Sequence, residues 1–176
     1  FPTRRSSDLY GINYYGPSAV PHLAAVGTHL TGENMDKEKI VLIDGHSIMS
    51  RAFYGVPELT NSEGLHTNAV YGFLNIMFKI LEEEQADHVA VAFDRKEPTF
   101  RHKMFEPYKG TRKPMPEELH EQVDLMKEVL GAMEVPILTM AGYEADDILG
   151  TVAKESQAKG VEVVVVSGDR DLLQDR

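Results

Sequence analysis

An α/β fold, with a mostly parallel sheet covered by helices on both faces, is predicted by three observations. Short β-branched runs recur along the chain, segments of helical period separate them, and the two kinds alternate in order. Strands buried on both faces read as continuous apolar runs, which is how these read. With 176 residues the chain suffices for one domain, burying roughly 70% of its unfolded surface.

The first run is residues 40–43 (IVLI), suited to a central strand. A helix is predicted over 67–84, where Val70, Phe73, Leu74, Met77, Phe78 and Leu81 recur at spacings of three and four. It ends in Glu82, Glu83 and Glu84, the wrong charge for a helix C-terminus, so its last turn is expected to fray. Residues 88–93 (HVAVAF) form a second strand. Pro98, Pro107, Gly110, Pro114 and Pro116 then exclude one regular helix over the segment that follows. Pro116, Glu117 and Glu118 open another helix, with proline and acids where a first turn favours them. It runs to about Met133, with Leu119, Val123, Met126, Val129 and Leu130 facing inward. Residues 136–140 are a short third strand, 145–159 a helix closed by Gly160, and 161–166 (VEVVVV) a fourth strand. The chain stops ten residues beyond that strand, where this fold class normally adds a helix, so a domain truncated at its C-terminus is expected.

Residues 1–34 differ in kind. They mix Gly, Pro and Ser without a sustained period, and the opening FPTRRSSDL reads like translated adaptor or assembly sequence. This leader is expected to be disordered or foreign to the domain, which then covers residues 35–176 from Met35.

Cysteine is absent, which excludes disulfides, thiolate metal sites and thiol nucleophiles. No apolar run approaches the roughly 20 residues of a membrane helix. The net charge of −10, from 18 basic and 28 acidic residues, argues against a polyanionic partner until its distribution is considered. Arg95, Lys96, Arg101, Lys103, Lys109, Arg112 and Lys113 face only Glu97 and Glu106 in one short stretch. A basic island on an acidic protein is either one polyanion-facing surface or a solvated loop with clustered charge.

The acids carry the chemistry. Asp44 directly follows the first strand, Asp94 the second, and Asp169 and Asp171 lie just past the fourth. In an open parallel sheet the carboxyl ends of the strands share one edge, and ligands bind in the crevice outside it. The segment GYEADD adds Glu144, Asp146 and Asp147 at the start of a helix that begins at the same edge if the third strand joins the sheet. Seven carboxylates on one rim repel one another unless compensated. An all-oxygen set suits Mg²⁺ or Mn²⁺ rather than zinc, and two such ions clamp an in-line phosphodiester hydrolysis. Any one of these acids taken singly is more often a helix cap or loop residue than a ligand, but four acid groups at corresponding ends of four elements argue for a shared site. A haloacid-dehalogenase phosphatase would need D-x-D after the first strand, whereas the sequence is Asp44-Gly45-His46. A response-regulator receiver finds no matching phospho-acceptor and lysine arrangement. His46, His66 and His102 are scattered and read as structural.

Four blocks in order, IVLIDGHSIMSRAFY, VAFDRKEPTFRHKMFEPYKGTRKPMPEEL, GYEADDILGTVA and VSGDRDLLQ, resemble the 5′-nuclease domain of bacterial DNA polymerase I, in the flap endonuclease superfamily. The resemblance implies a PIN-like 5′-nuclease fold and a Mg²⁺-dependent 5′–3′ exonuclease or flap endonuclease acting on 5′ ends and flaps of branched DNA. Replication and repair in the bacterial cytoplasm would be its setting, as a monomer whose parent carries a polymerase module. It makes Asp44, Asp94, Glu144, Asp146, Asp147, Asp169 and Asp171 metal ligands, with two ions in the complete domain. It places Arg101, Tyr108, Lys109, Arg112 and Lys113 on a DNA-binding arch at about 95–116, with Arg101 and Lys109 at the scissile phosphate. The family continues with two further metal-ligating aspartates and a duplex-gripping element, which the sequence to Arg176 does not contain. A fragment that binds DNA without cutting it, and a PIN-type ribonuclease, are the alternatives.

Overall fold

The computed structural model describes residues 5–7, 12–15, 37–95 and 114–168. Its strands are β1 (Arg5–Ser7), β2 (Ile12–Tyr15), β3 (Lys39–Asp44), β4 (His88–Ala92), β5 (Ile137–Leu138) and β6 (Glu162–Ser167). Its helices are α1 (Gly45–Gly55), α2 (Asn68–Glu84), α3 (Glu117–Ala132) and α4 (Ala145–Gln157). The sheet order is β1-β2-β6-β3-β4-β5, and the four strands from β6 to β5 are mutually parallel. The α/β fold is as the alternation predicts.

β3 lies at the centre of the parallel part. Val41, Ile43, Val91, Phe93, Val164 and Val166 face a core shared with α1, α2 and α3. Ile40, Leu42, Ala90, Ala92 and Val163 turn to the other face, where Ala145 and Leu149 of α4 cover them. Helices therefore lie on both faces, three against one. Every inward residue predicted for α3 is buried or half-buried, and Gln122 joins them although it is polar. Gln122 Oε1 accepts the backbone N–H groups of Ala69 at 2.7 Å and Val70 at 3.3 Å, and its Nε2 donates to Asn68 Oδ1 at 3.0 Å. Two orphan donors in the first turn of α2 are thus satisfied by a side chain from α3.

Four details add to or depart from expectation. α2 is helical through its acidic end to Glu84: Gln85 takes the left-handed conformation (φ 50°, ψ 47°) that ends a helix, and its N–H reaches back to the last carbonyls. Lys39 stands 3.5 Å from Glu84 and Lys79 3.6 Å from Glu83, so cations from outside and inside the helix offset the acidic end. The second difference is α1, a helix absent from the elements predicted. Asp44 caps it, its Oδ1 accepting the Ser47 N–H at 3.1 Å, and Ile48, Met49 and Ala52 form its buried stripe. The third is a pair of short strands in the leader, β1 and β2, which run antiparallel with Arg5 opposite Tyr14. β2 pairs antiparallel with β6, Tyr14 opposite Val166, and so covers a strand edge whose unpaired amides and carbonyls invite a partner. The fourth is the strand predicted over 136–140, which is only two residues long, with Leu138 O accepting the N–H of Phe93 at 3.0 Å.

Candidate functional site

The rim at the carboxyl ends of the strands is built by register. Asp44 is the last residue of β3 and pairs with Ala92, two residues before Asp94. On the other side Ile43 pairs with Val166, which brings Ser167 level with Asp44. Asp44 therefore sits centrally, with the exit of β4 on one flank and that of β6 on the other.

Asp44, Asp94 and the Glu144–Asp147 turn are anchored by hydrogen bonds. Asp44, 7% exposed, uses Oδ1 on the Ser47 N–H and Oδ2 on the Ser167 hydroxyl at 3.3 Å. Asp94 Oδ1 accepts the N–H of Ala145 at 2.6 Å, a carboxylate placed at the N-terminus of α4, where the helix dipole favours it. That bond ties β4 to the GYEADD turn. Glu144 is buried and caps α4 in a capping box, with Asp147 Oδ2 accepting the Glu144 N–H at 3.0 Å. Asp146 is half-buried in the same turn. The helix-capping alternative for single acids is therefore realised at Asp44 and Glu144, alongside their place on the rim.

The electrostatics follow from this packing. The Asp44 carboxyl is pushed up to about 7, first by burial and then by the negative charges of Asp146 and Asp94, against the opposing bond from Ser47. Elements 50 and more residues apart in sequence thus bring three carboxylates into electrostatic contact. His46, expected to be structural, lies on the same rim: its Nδ1 accepts the Asp94 N–H at 3.2 Å and its ring meets Phe93 edge-on. Burial holds His46 below the ordinary histidine range, with Lys127 and His120 adding to the effect and Asp94 opposing it. Ser47 Oγ accepts the N–H of Gly168 at 2.7 Å. The sequence signal for both residues was the capped start of α1, Asp44-Gly45-His46-Ser47, once α1 is read as a helix. His66 is elsewhere, 3.5 Å from Glu58.

Asp169, Asp171, Arg101, Tyr108, Lys109, Arg112, Lys113 and His102 lie outside the described residues. Among the described residues no three acids or histidines are close enough to enclose an ion by themselves. The donor set nevertheless fits a hard cation, being all oxygen, with Asp146 and Asp94 both acting electrostatically on the buried Asp44 carboxyl. Asp44, Asp94, Glu144 and Asp146 are the described residues that would hold it.

Residues 39–175 match the family model described as the 5′-3′ exonuclease, N-terminal resolvase-like domain. DNA polymerase I of Bacillus caldotenax is 52% identical over 138 residues, 78% of this chain and 16% of that one. DNA polymerase I of Bacillus subtilis is 49% identical over 139 residues, with 79% and 16% covered. The chain thus spans 16% of the length of these curated relatives. Among solved structures, the bacteriophage T5 flap endonuclease in a complex with DNA and metal ions is 23% identical over 64% of this chain and 42% of that chain, with a TM-score of 0.45. The match over residues 39–175, which takes in both exits of the central strands and the GYEADD turn, makes the chain a member of the 5′-3′ exonuclease N-terminal domain family.

Proposed function

We propose that this chain contributes the metal-dependent catalytic rim of a 5′–3′ exonuclease or flap endonuclease, hydrolysing phosphodiester bonds at the 5′ ends and flaps of branched DNA. The observation that carries the reading is the convergence of Asp44, Asp94 and Asp146 from three separate segments, close enough for two of them to raise the third. Membership of the exonuclease family supports the same reading.

In this reading Asp44, Asp94, Glu144 and Asp146 would hold Mg²⁺, or Mn²⁺ in its place, and Asp147, Asp169 and Asp171 would supply part of a second ion site, which the two further aspartates of the complete domain would finish. When bound, such ions supply Lewis acidity at both the attacking and the leaving oxygen of an in-line displacement. The protein's part is to hold its carboxylates in place: the bonds from Ser47, Ser167 and Ala145 orient Asp44 and Asp94 before any ligand arrives. Arg101, Lys109, Arg112 and Lys113 neutralise phosphates of the 5′ strand, and Tyr108 offers a face for an unpaired base. The setting is DNA replication and repair in the bacterial cytoplasm, within a polymerase-bearing parent.

The test is cleavage of 5′-flap DNA, nicked duplex and single-stranded RNA by the purified chain with Mg²⁺ and with chelator. Cleavage of flap DNA above RNA, abolished by chelator, is expected. Preference for RNA would favour a PIN-type ribonuclease, and flap binding without cleavage in Mg²⁺ or Mn²⁺ a binding module; either would overturn the proposal.

A further inference from the structure

The first turn of α1 touches both flanks of the acid rim. His46 Nδ1 receives the backbone N–H of Asp94 on one side, at 3.2 Å. Ser47 Oγ receives that of Gly168 on the other at 2.7 Å, with the Ser167 hydroxyl 3.5 Å away. Both donors lie just past the ends of their strands, since β4 stops at Ala92 and β6 at Ser167. The side chains of α1 thus take over as acceptors where the regular strands stop. The fit is tight on both sides. A Cβ on Gly168 would lie 2.8 Å from Ser47 Oγ, and one on Gly45 would lie 2.4 Å from the Phe93 ring. The two flanks are therefore held against the helix that Asp44 itself caps.

We propose that His46 and Ser47 are positioning residues: they fix the backbone of Asp94 and of Gly168 relative to Asp44, and so set the spread of the carboxylates across the rim. The inference rests on the metal-dependent reading above. Neither side chain is assigned to the ion or the substrate; each acts through the amide it holds. The reach of such an effect is large, because a displacement of about 1 Å at reacting groups can reduce a rate roughly a hundredfold. The acceptor role has a chemical requirement. His46 must present a bare Nδ1 with its proton on Nε2, and Ser47 must present a hydroxyl oxygen.

Four variants of the full chain test this: Ser47→Ala and His46→Leu remove the acceptors, while Ser47→Thr and His46→Asn retain one. In chelator, hydrogen exchange followed by NMR should show the Gly168 amide in Ser47→Ala, and the Asp94 amide in His46→Leu, exchanging roughly tenfold faster or more. Mn²⁺ affinity measured by electron paramagnetic resonance should fall roughly tenfold in both, in line with the loss of one hydrogen bond. On flap DNA, kcat should fall by a similar factor with KM unchanged, and Ser47→Thr and His46→Asn should recover most of each loss. Exchange and Mn²⁺ affinity within about twofold of wild type in the acceptor-less variants would overturn the proposal. So would losses that track melting temperature alone and are not recovered by the conservative variants. If the wild type neither binds Mn²⁺ nor cleaves, the functional reading fails, and the local exchange of the two amides decides the positioning role by itself.

Discussion

At the scale of single residues, Asp44 combines two demands that oppose each other. Its carboxylate caps α1 and accepts the Ser167 hydroxyl, yet burial and the charges of Asp146 and Asp94 raise it to about 7. A carboxyl whose folded value lies above its unfolded value destabilises the fold as pH rises between the two. The penalty is absent below about 4, grows through the interval, and is complete above about 7. Its upper bound is on the order of 4 kcal/mol, since a tenfold change in proton affinity corresponds to about 1.4 kcal/mol. Asp44→Asn keeps an acceptor for Ser47 while removing the charge. In chelator it should therefore melt higher than wild type at pH 8, with the advantage vanishing as pH approaches 4. With Mn²⁺ present the order should reverse, because the wild-type carboxylate regains a counter-charge that asparagine cannot use as well. Melting curves at several pH values, with and without metal, check both signs. A second residue-scale effect was invisible in the sequence. Gln122 sits among apolar positions of α3 but satisfies two backbone donors of α2, a partnership 52 and 53 residues away that no local pattern encodes.

Among the elements, α1 and α2 meet at a glycine. A Cβ on Gly72 would lie 2.8 Å from both Ala52 Cβ and Val56 Cγ2, whereas Gly131 and Gly150 have nothing within 4 Å. Alanine in an exposed helix interior is normally better than glycine by about 1 kcal/mol. Gly131→Ala and Gly150→Ala should follow that rule and stabilise by roughly 0.5–1 kcal/mol. Gly72→Ala should reverse it, destabilising by about 1–3 kcal/mol through overpacking. Chemical denaturation of the three variants makes the comparison, and a stabilising Gly72→Ala would show that the two helices are not packed this closely. The elements also differ in how far they were legible. β3, β4, β6, α2, α3 and α4 announce themselves through long apolar runs or sustained period, which survive in any tertiary context. α1 escapes because its buried stripe is short and its start, Gly45-His46-Ser47, resembles a loop until the Asp44 cap is considered. β1 and β2 escape for a different reason, since strands of three and four residues carry too little pattern of their own, and they pair with each other and, through β2, with β6.

Taken whole, the chain carries an acidic rim in its fold and a basic island in its sequence, and the function proposed for it needs both. The acids were legible because a parallel sheet gathers the carboxyl ends of its strands, so positions just past residues 43 and 93 must be neighbours. What the sequence did not disclose is how the rim is held, through Ser47, Ser167, His46 and the Ala145 amide. The basic island rests on charge and resemblance alone, and salt dependence tests it. Lys109→Ala and Arg112→Ala should each weaken binding to flap DNA and reduce the slope of log affinity against log salt by about one. Lys37→Ala and Lys159→Ala, outside the island, should leave the slope unchanged. Equal effects from both pairs would replace the arch by diffuse electrostatics. The central claim, that the rim is a divalent-metal centre for phosphodiester hydrolysis, is tested most directly by single-turnover cleavage of 5′-flap DNA at saturating Mg²⁺, wild type against Asp94→Asn. Asparagine keeps an acceptor for Ala145 and the shape of the side chain but removes its charge. The rate should fall by roughly 10²–10³, as removal of one charge-stabilising group does in other active sites, and chelator should abolish what remains. A variant that cleaves at the wild-type rate, or a wild type that cleaves equally well in chelator, would contradict the account.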